Sequence, residues 1–326
     1  MKPQISIVVV TWNSRKHIQT CLECIGNQTH KNYEIIVVDN KSRDGVVEYI
    51  QKRHPNVKII QNKKNLGFCK ASNQGIHASE GEFILILNPD VSPEPAFLEE
   101  LVKCISENTH YGSVGGKLLL LINGQKSNRI DSTGLFLRKN FRAKDRGNLQ
   151  EDCGEYDKGG DVFAVCGAAV LFRREALERV KIGEEYFDED FFAYYDDLDL
   201  GWRIQLLGYE NGYTPKAIAY HVRGGSGAGA KFFQKNRTMQ KVTLRNRYIM
   251  LIKNLSLANL LCFFPFFFLS ELMLLTYISI RAPRLFTVYV DLSRNLTKYR
   301  KKRSIVQSLR IKSHKEIRNW IKLSHH

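Results

Sequence analysis

Three observations predict an α/β fold built on a doubly wound, mainly parallel sheet. There are short β-branched runs, helical periodicity between them, and polar residues where each run stops. Ile5–Val10 is a run of the kind buried on both faces of a parallel sheet. Arg15–Asn27 then places Ile18, Cys21, Leu22 and Ile25 on one helical face. Glu34–Asp39 and Val46–Arg53 repeat the pair, and Val57–Ile60 and Ala71–Ala78 repeat it again after a turn at Gly67. Phe83–Leu87 closes the series, with a helix over Pro95–Glu107. Such alternation implies right-handed crossovers, and ligands of such sheets bind beyond the carboxyl ends of the strands. Thr11, Asp39 and Asn88–Asp90 all fall there.

Residues 112–165 are less regular, with glycines and short apolar pieces such as Lys117–Ile122, and suggest loops and strands of an acceptor-side wall. Val165–Phe172 reads as a strand and Arg174–Val180 as a helix. Phe191–Leu207 reads as an amphipathic helix with an acidic cluster, and Ala217–His221 as the last strand. The chain of 326 residues, 43% hydrophobic and 25% charged, is globular and long enough for one large core or two ordinary ones. Seven scattered cysteines argue against a disulfide framework, and the Cys21–Cys24 pair has no second pair to complete a zinc site. The first apolar run is too short for a signal peptide, so a reducing, cytosolic compartment is expected.

Three features carry chemistry. Asn88-Pro89-Asp90 follows a strand, where a carboxylate fixed by a proline turn suits a hard divalent cation bridging phosphates. Asp196, Asp197 and Asp199 lie within four residues. On a helix Asp196 and Asp199 share a face while Asp197 points elsewhere, and the crowding favours a raised pKa that suits a general base. His221 ends a strand beside the glycine loop Gly224–Gly229, where a neutral imidazole completes a metal shell and the loop serves as a mobile lid. Each has a plainer alternative: turn chemistry, a solvated helix N-terminus, and an ordinary hydrogen-bonded histidine.

The ordered set Ile5–Asn13, Val37–Ser42, Asn65–Phe68, Leu87–Asp90, Phe192–Asp199 and His221 resembles glycosyltransferase family 2. Within that family it is most similar to the rhamnosyltransferase-like branch, over roughly residues 4–230. The resemblance implies the GT-A fold and an inverting transfer from a nucleotide-diphosphate sugar. It implies that Thr11, Asn13 and Asp39 contact the nucleotide, with Asp39 on the base or ribose. Asn65, Gly67 and Phe68 then line the nucleotide pocket, and Asn88 and Asp90 lie at the diphosphate. Asp90 holds Mg2+ or Mn2+, with His221 beside it. Asp197 aligns with the general base, and Asp196 replaces the more frequent glutamate. Asn88 stands where the better-known DxD motif has its first Asp. The first donor suggested is dTDP-rhamnose, with UDP-linked galactofuranose, glucose or an amino sugar as alternatives. The implied acceptor is lipid-linked or a polysaccharide of the cell envelope. Nucleotidyl transfer would want a phosphate-gripping glycine loop near the first strand, which Thr11–Arg15 does not supply. An inactive membrane scaffold is disfavoured by Asp39, Asp90, Asp197 and His221 occurring together.

The division expected is a catalytic domain over 1–235 and a helical, membrane-associating region over 236–326. The net charge of +16 is concentrated in the tail, where residues 255–326 hold 13 Lys and Arg against Glu271, Asp291 and Glu316. Leu255–Ile280 carries one charge in 26 residues, enough for a span by length. Basic residues flank it on both sides: Lys241, Arg245, Arg247 and Lys253 before, Arg281, Arg284 and Lys298–Arg303 after. A single span would violate the positive-inside rule, so a re-entrant or interfacial helix pair bent at Pro265 is expected instead. Leu309–Leu323 reads as a basic amphipathic helix suited to an anionic membrane surface. These features place the protein on the cytoplasmic face of the membrane, peripheral or monotopic. A soluble extension or a homo-oligomer interface is the alternative, and nucleic acid is excluded because no binding module accompanies the charge.

Overall fold

The structure is a computed structural model that describes residues 2–222 and 232–323. The expected lid, Gly224–Gly229, lies outside the described residues. The first half alternates as the sequence predicts. Strands β1 (Ile5–Thr11), β2 (Tyr33–Asp39), β3 (Lys58–Gln61) and β4 (Phe83–Leu87) are separated by helices α1 (Arg15–Gly26), α2 (Val46–Arg53) and α3 (Phe68–His77). These four strands are all parallel, in the order β4-β1-β2-β3. Ile5, Ile7, Val8 and Val9 are fully buried, as a central parallel strand requires. The register sets Thr11 opposite Asp39 and Val9 opposite Leu87, so the strand ends lie level.

A short β5 (Val91–Pro93) and α4 (Phe97–Glu107) lead into the stretch where the sequence is least legible. This stretch is not an irregular wall. Tyr111–Ile122 is a single 12-residue strand, β6, buried over its first ten residues and standing inside the sheet. It turns into β7 (Gln125–Ser132) through Asn123-Gly124, both at positive φ, the chemistry of a two-residue hairpin. Strands β8 (Leu135–Leu137) and β9 (Ala143–Asp145) form a separate hairpin, and β10 (Gly160–Val162) returns to the sheet.

The expected strand over Val165–Phe172 starts late, as β11 (Ala169–Arg173), and runs antiparallel to both β4 and β6. After α5 (Arg174–Val180), the expected helix from Phe191 begins only at Asp196, as α6 (Asp196–Leu206). Nor is it amphipathic: ten of its eleven residues are buried. The last strand, β12 (Glu210–His221), is longer than expected and pairs parallel with β6 and antiparallel with β5.

Helices α7 (Arg237–Asn254), α8 (Leu257–Cys262), α9 (Phe264–Arg281), α10 (Phe286–Arg294), α11 (Leu296–Ser308) and α12 (His314–Leu323) complete the chain. One sheet face buries residues of α1, α2 and α4. The other buries α3, α5 and α6 in one cluster with Leu244, Leu274, Val288, Tyr299, Val306, Ile317 and Ile321 from the C-terminal helices. The apolar side of α12, expected to meet lipid, is therefore turned into protein. The basic flanks are also partly spent on protein contacts. Arg247 pairs with Glu271 at 2.7 Å, Arg245 with Asp291 at 3.0 Å, and Lys253 with Asp199 at 2.9 Å. They count less toward membrane orientation than their sequence position suggests.

Candidate functional site

The level strand ends bring the sequence-predicted residues to one edge of the sheet. The Thr11 hydroxyl donates to Asp39 Oδ1 at 3.1 Å, and the Ser42 amide donates to Asp39 Oδ2 at 3.0 Å, fixing a buried carboxylate at the end of β2. Asn13, at φ +53°, accepts from the Arg43 amide at 2.9 Å, so its side chain joins the β1 and β2 loops. Asn65 accepts from the Gly67 amide at 2.9 Å, and Asn40 donates to the Gly67 carbonyl at 3.1 Å. Gly67 has φ +85°, and a Cβ there would lie 2.7 Å from the Phe192 ring, so loop and ring fit only around glycine. The Phe68 amide donates to the Phe192 carbonyl at 2.8 Å, while the Phe68 ring packs edge-on against Phe187 in the core. Of that loop, Asn65 and Gly67 shape its path, and Phe68 anchors it.

The Asn88–Asp90 turn is sewn down on two sides: the Asn88 amide donates to the Ala168 carbonyl at 2.8 Å, and the Val222 amide to the Asp90 carbonyl at 3.0 Å. Because β5 runs antiparallel to β12 with Val91 opposite His221, the register delivers Asp90 to the histidine. His221 Nε2 lies 3.4 Å from Asp90 Oδ1, and Nδ1 lies 2.8 Å from Asp131 Oδ2. Burial alone would lower the imidazole pKa, but the hydrogen bonds and charges of Asp131 and Asp90 raise it to about 9. Without a cation, the two carboxylates therefore favour the protonated ring. The pair nonetheless fits a divalent cation. It offers a hard carboxylate oxygen and an imidazole nitrogen on one spot, and a buried carboxylate fixes the far ring nitrogen. A cation there would take the place of the proton. A separate group, His110, Asp161 and Glu210, lies at the opposite end of β12, where Glu210 is held by Lys312 at 3.1 Å.

Across the edge, α6 opens on two strained residues. Tyr194 and Tyr195 have φ of +71° and +67°, costly for residues with side chains. Asn246 of α7 holds this turn by donating to the Ala193 and Tyr194 carbonyls at 2.8 and 2.9 Å. Of the acids that follow, Asp196 and Asp199 are buried and Asp197 is partly buried, so this is not a solvated helix end. Asp197 accepts from the Gly167 amide at 3.0 Å and the Leu198 amide at 2.8 Å. A Cβ on Gly167 would sit 3.0 Å from the Asp197 Cβ, so the glycine permits this approach. Burial pushes the Asp197 pKa up to about 6, despite the two amides that lower it. Burial, then the neighbouring Asp197, pushes Asp196 up to about 8. Asp199, expected to share the cluster, is instead neutralised by Arg203 at 3.0 Å and Lys253 at 2.9 Å. Sequence reasoning missed Asp131, Gly167 and Asn246, because each acts on a partner at least 30 residues away.

The sequence matches the profile of glycosyl transferase family 2 over residues 6–181, and that of glycosyl transferase family group 2 over 137–292. It is 25% identical over 254 residues to the N-acetylglucosaminyl-diphospho-decaprenol L-rhamnosyltransferase of Mycobacterium tuberculosis, covering 69% of this chain and 78% of that one. Among solved structures it resembles GalNAc-T7 with UDP, GalNAc and Mn2+ (TM-score 0.61, 16% identity, 77% of this chain), spanning about half, 48%, of that protein. It also resembles a mannosyltransferase from Pyrobaculum calidifontis in complex with GDP-Man and Mn2+ (TM-score 0.55, 18% identity, 99% of this chain and 88% of that one). The two structural likenesses establish the GT-A fold. The chain belongs to glycosyltransferase family 2.

Proposed function

We propose that this glycosyltransferase moves a sugar from a nucleoside diphosphate to a lipid-linked acceptor, with inversion, in envelope glycan assembly. The observation that carries the reading is the placement of a raised-pKa carboxylate, Asp197, at the same sheet edge as the Asp90–His221 pair. Asp197 takes the acceptor hydroxyl proton as that oxygen bonds to the anomeric carbon and the bond to the diphosphate breaks. Asp39 and Thr11 hold the nucleoside, and Asn65–Phe68 bound its pocket. Asp90 and His221 hold Mg2+ or Mn2+, which supplies positive charge against the departing diphosphate. The rhamnosyltransferase relative supports rhamnose as the sugar and a lipid diphosphate as acceptor carrier; the proposed donor is dTDP-rhamnose, with UDP-sugars as the alternative. NMR of the product should show the inverted anomer, and chelation should stop transfer. Asp90→Asn should weaken Mn2+-dependent nucleotide binding by at least tenfold; retained configuration or unchanged metal dependence removes the reading.

The protein's proposed place is the cytoplasmic face of the membrane, held by α8 and α9. Pro265 begins α9 rather than bending it, and the break falls at Phe263. Ser270, Leu274 and Ile278 face the protein, and Glu271 is consumed by Arg247. Leu257, Leu261, Phe264, Phe268 and Leu272 are left about half exposed or more. A helix docked along one side with an apolar opposite side suits a monotopic contact better than a span. The full chain should float with anionic vesicles, and Leu261→Ser, Phe268→Ser and Leu272→Ser together should leave it at the bottom of the gradient. Flotation of that variant would place the anchor elsewhere.

A further inference from the structure

Between α9 and the β8–β9 hairpin lies a cleft of about 760 Å³, within the usual range for a ligand site. Its two sides differ in chemistry. Phe266, Leu269 and Met273 of α9 give an apolar wall, each more than half exposed. Arg138, Lys139, Lys144 and Arg146 give a cationic one, and no Asp or Glu lines the cleft. Among the described residues none of these four cations has a carboxylate partner. Lys139 instead sits 5.3 Å over the Phe266 ring and Lys144 5.9 Å from that of Phe136.

Arg146 is the most telling. It is held in place by bonds to the Thr133 hydroxyl at 3.0 Å and carbonyl at 2.9 Å, and lies 4.8 Å over the Tyr213 ring. Burial lowers its pKa, and no carboxylate is near enough to compensate. A guanidinium fixed on Thr133 and partly desolvated carries a cost that an anion removes.

The cleft is also joined to the catalytic edge. On the hairpin, Leu135 stands opposite Asp145, and its amide donates to the Ala164 carbonyl at 2.7 Å. Three residues later, the Gly167 amide holds Asp197. On the outer side, Asn140 reaches Ser270 of α9 at 3.4 Å, and the Phe141 ring packs on Phe263 and Phe267. The same scaffold thus runs from the exposed apolar helix, past four cations, to the proposed base.

Building on the transfer reading, we infer that this cleft binds the phosphate or diphosphate of the lipid-linked acceptor. The first part of its hydrocarbon chain lies on Phe266, Leu269 and Met273. The charge decides the occupant: an uncharged lipid leaves four cations unmatched, and a small anion leaves the apolar wall wet. The chain then continues along α9 toward the membrane while the acceptor sugar points toward Asp197.

The test uses the full chain in neutral detergent with EDTA, which keeps the metal-dependent donor site silent, and calorimetry with farnesyl diphosphate. Farnesol and inorganic diphosphate should each bind at least tenfold more weakly. Lys139→Glu with Lys144→Glu, both at the rim, should weaken farnesyl diphosphate at least tenfold and leave the thermal midpoint unchanged. Equal affinity in that variant overturns the inference. So does inorganic diphosphate binding as tightly as the farnesyl compound, or displacement by an equimolar amount of phosphatidylglycerol. In a parallel arm with Mn2+, UDP and dTDP report on the donor site. Failure of both to bind removes the transfer reading separately, whatever the cleft does.

Discussion

Asp197→Asn should lower kcat by about 10³-fold while donor affinity stays within threefold, since general-base catalysis contributes about 10²–10⁴. The substitution keeps shape and loses basicity. The Leu198 and Gly167 amides donate to different oxygens of Asp197, so the single carboxamide oxygen keeps one of these bonds and loses the other, and a thermal melt of the variant checks that the helix start survives. Calorimetry with the nucleotide and Mn2+ separates binding from chemistry. Transfer at the wild-type rate in this variant removes Asp197 as base.

The wild-type pH profile gives the same residue a second test. The base acts when deprotonated, and burial raises its pKa to about 6. Transfer should therefore be half-maximal near pH 6 and rise toward a plateau above pH 7. Asp196, raised to about 8, holds its proton over that range and so lowers the charge beside Asp197. Asp196→Asn should leave the limb near pH 6 in place. A limb that moves to Asp196 instead would exchange the two roles.

The parallel half of the fold was open to the sequence because strands buried on both faces announce themselves: Phe83–Leu87 is wholly apolar, and Ile5–Val10 is broken only by the small Ser6. β6 was hidden by its own content. Gly115 and Gly116 break the apolar run, and Lys117 places a charge in a central strand. That lysine is buried only because Asp152 at 2.7 Å and Asp157 at 2.5 Å meet it, and nothing local reveals partners 35 and 40 residues away. The Asn123-Gly124 turn was the available signal. The site divides along the same line. Asp39, Asp90, Asp197 and His221 were named from chain order, whereas their arrangement depends on strand register and on Asp131, which carries no motif. Asp199 shows the opposite error, a carboxylate grouped with its neighbours in sequence but pointed into a different network.

That network carries the second large effect. The Lys253 ammonium is fully buried, bonded to Asp188 and, at 2.9 Å, to Asp199, which also accepts from Asn254 at 2.8 Å. Lys302 of α11 reaches Asp188 at 2.5 Å, so two C-terminal helices clamp the segment leading into α6. Burial alone would raise the Asp188 pKa, but Lys253 and Lys302 hold it well below the usual carboxylate range. Lys253→Met leaves both carboxylates short of a cation in the interior, and breaking such a pair costs about 3–5 kcal/mol. Urea unfolding should show a loss near the lower figure, since Lys302 and Arg203 remain. Lys298→Ala, at an exposed pair with Asp190, should cost less than about 1 kcal/mol. A Lys253→Met loss as small as that would mean the network is not holding α6. If the loss is large, kcat should fall with it, because Asp199 lies two residues from Asp197 and shares its helical turn. The same geometry rules out truncation at residue 255 as a membrane test. That cut removes Lys302 from Asp188 and strips Tyr299, Val306 and Ile317 from the core that Trp202 shares. The C-terminal helices that hold the segment before α6 also carry the proposed membrane contact, so only substitutions on the exposed side of α8 and α9 test that contact without disturbing α6.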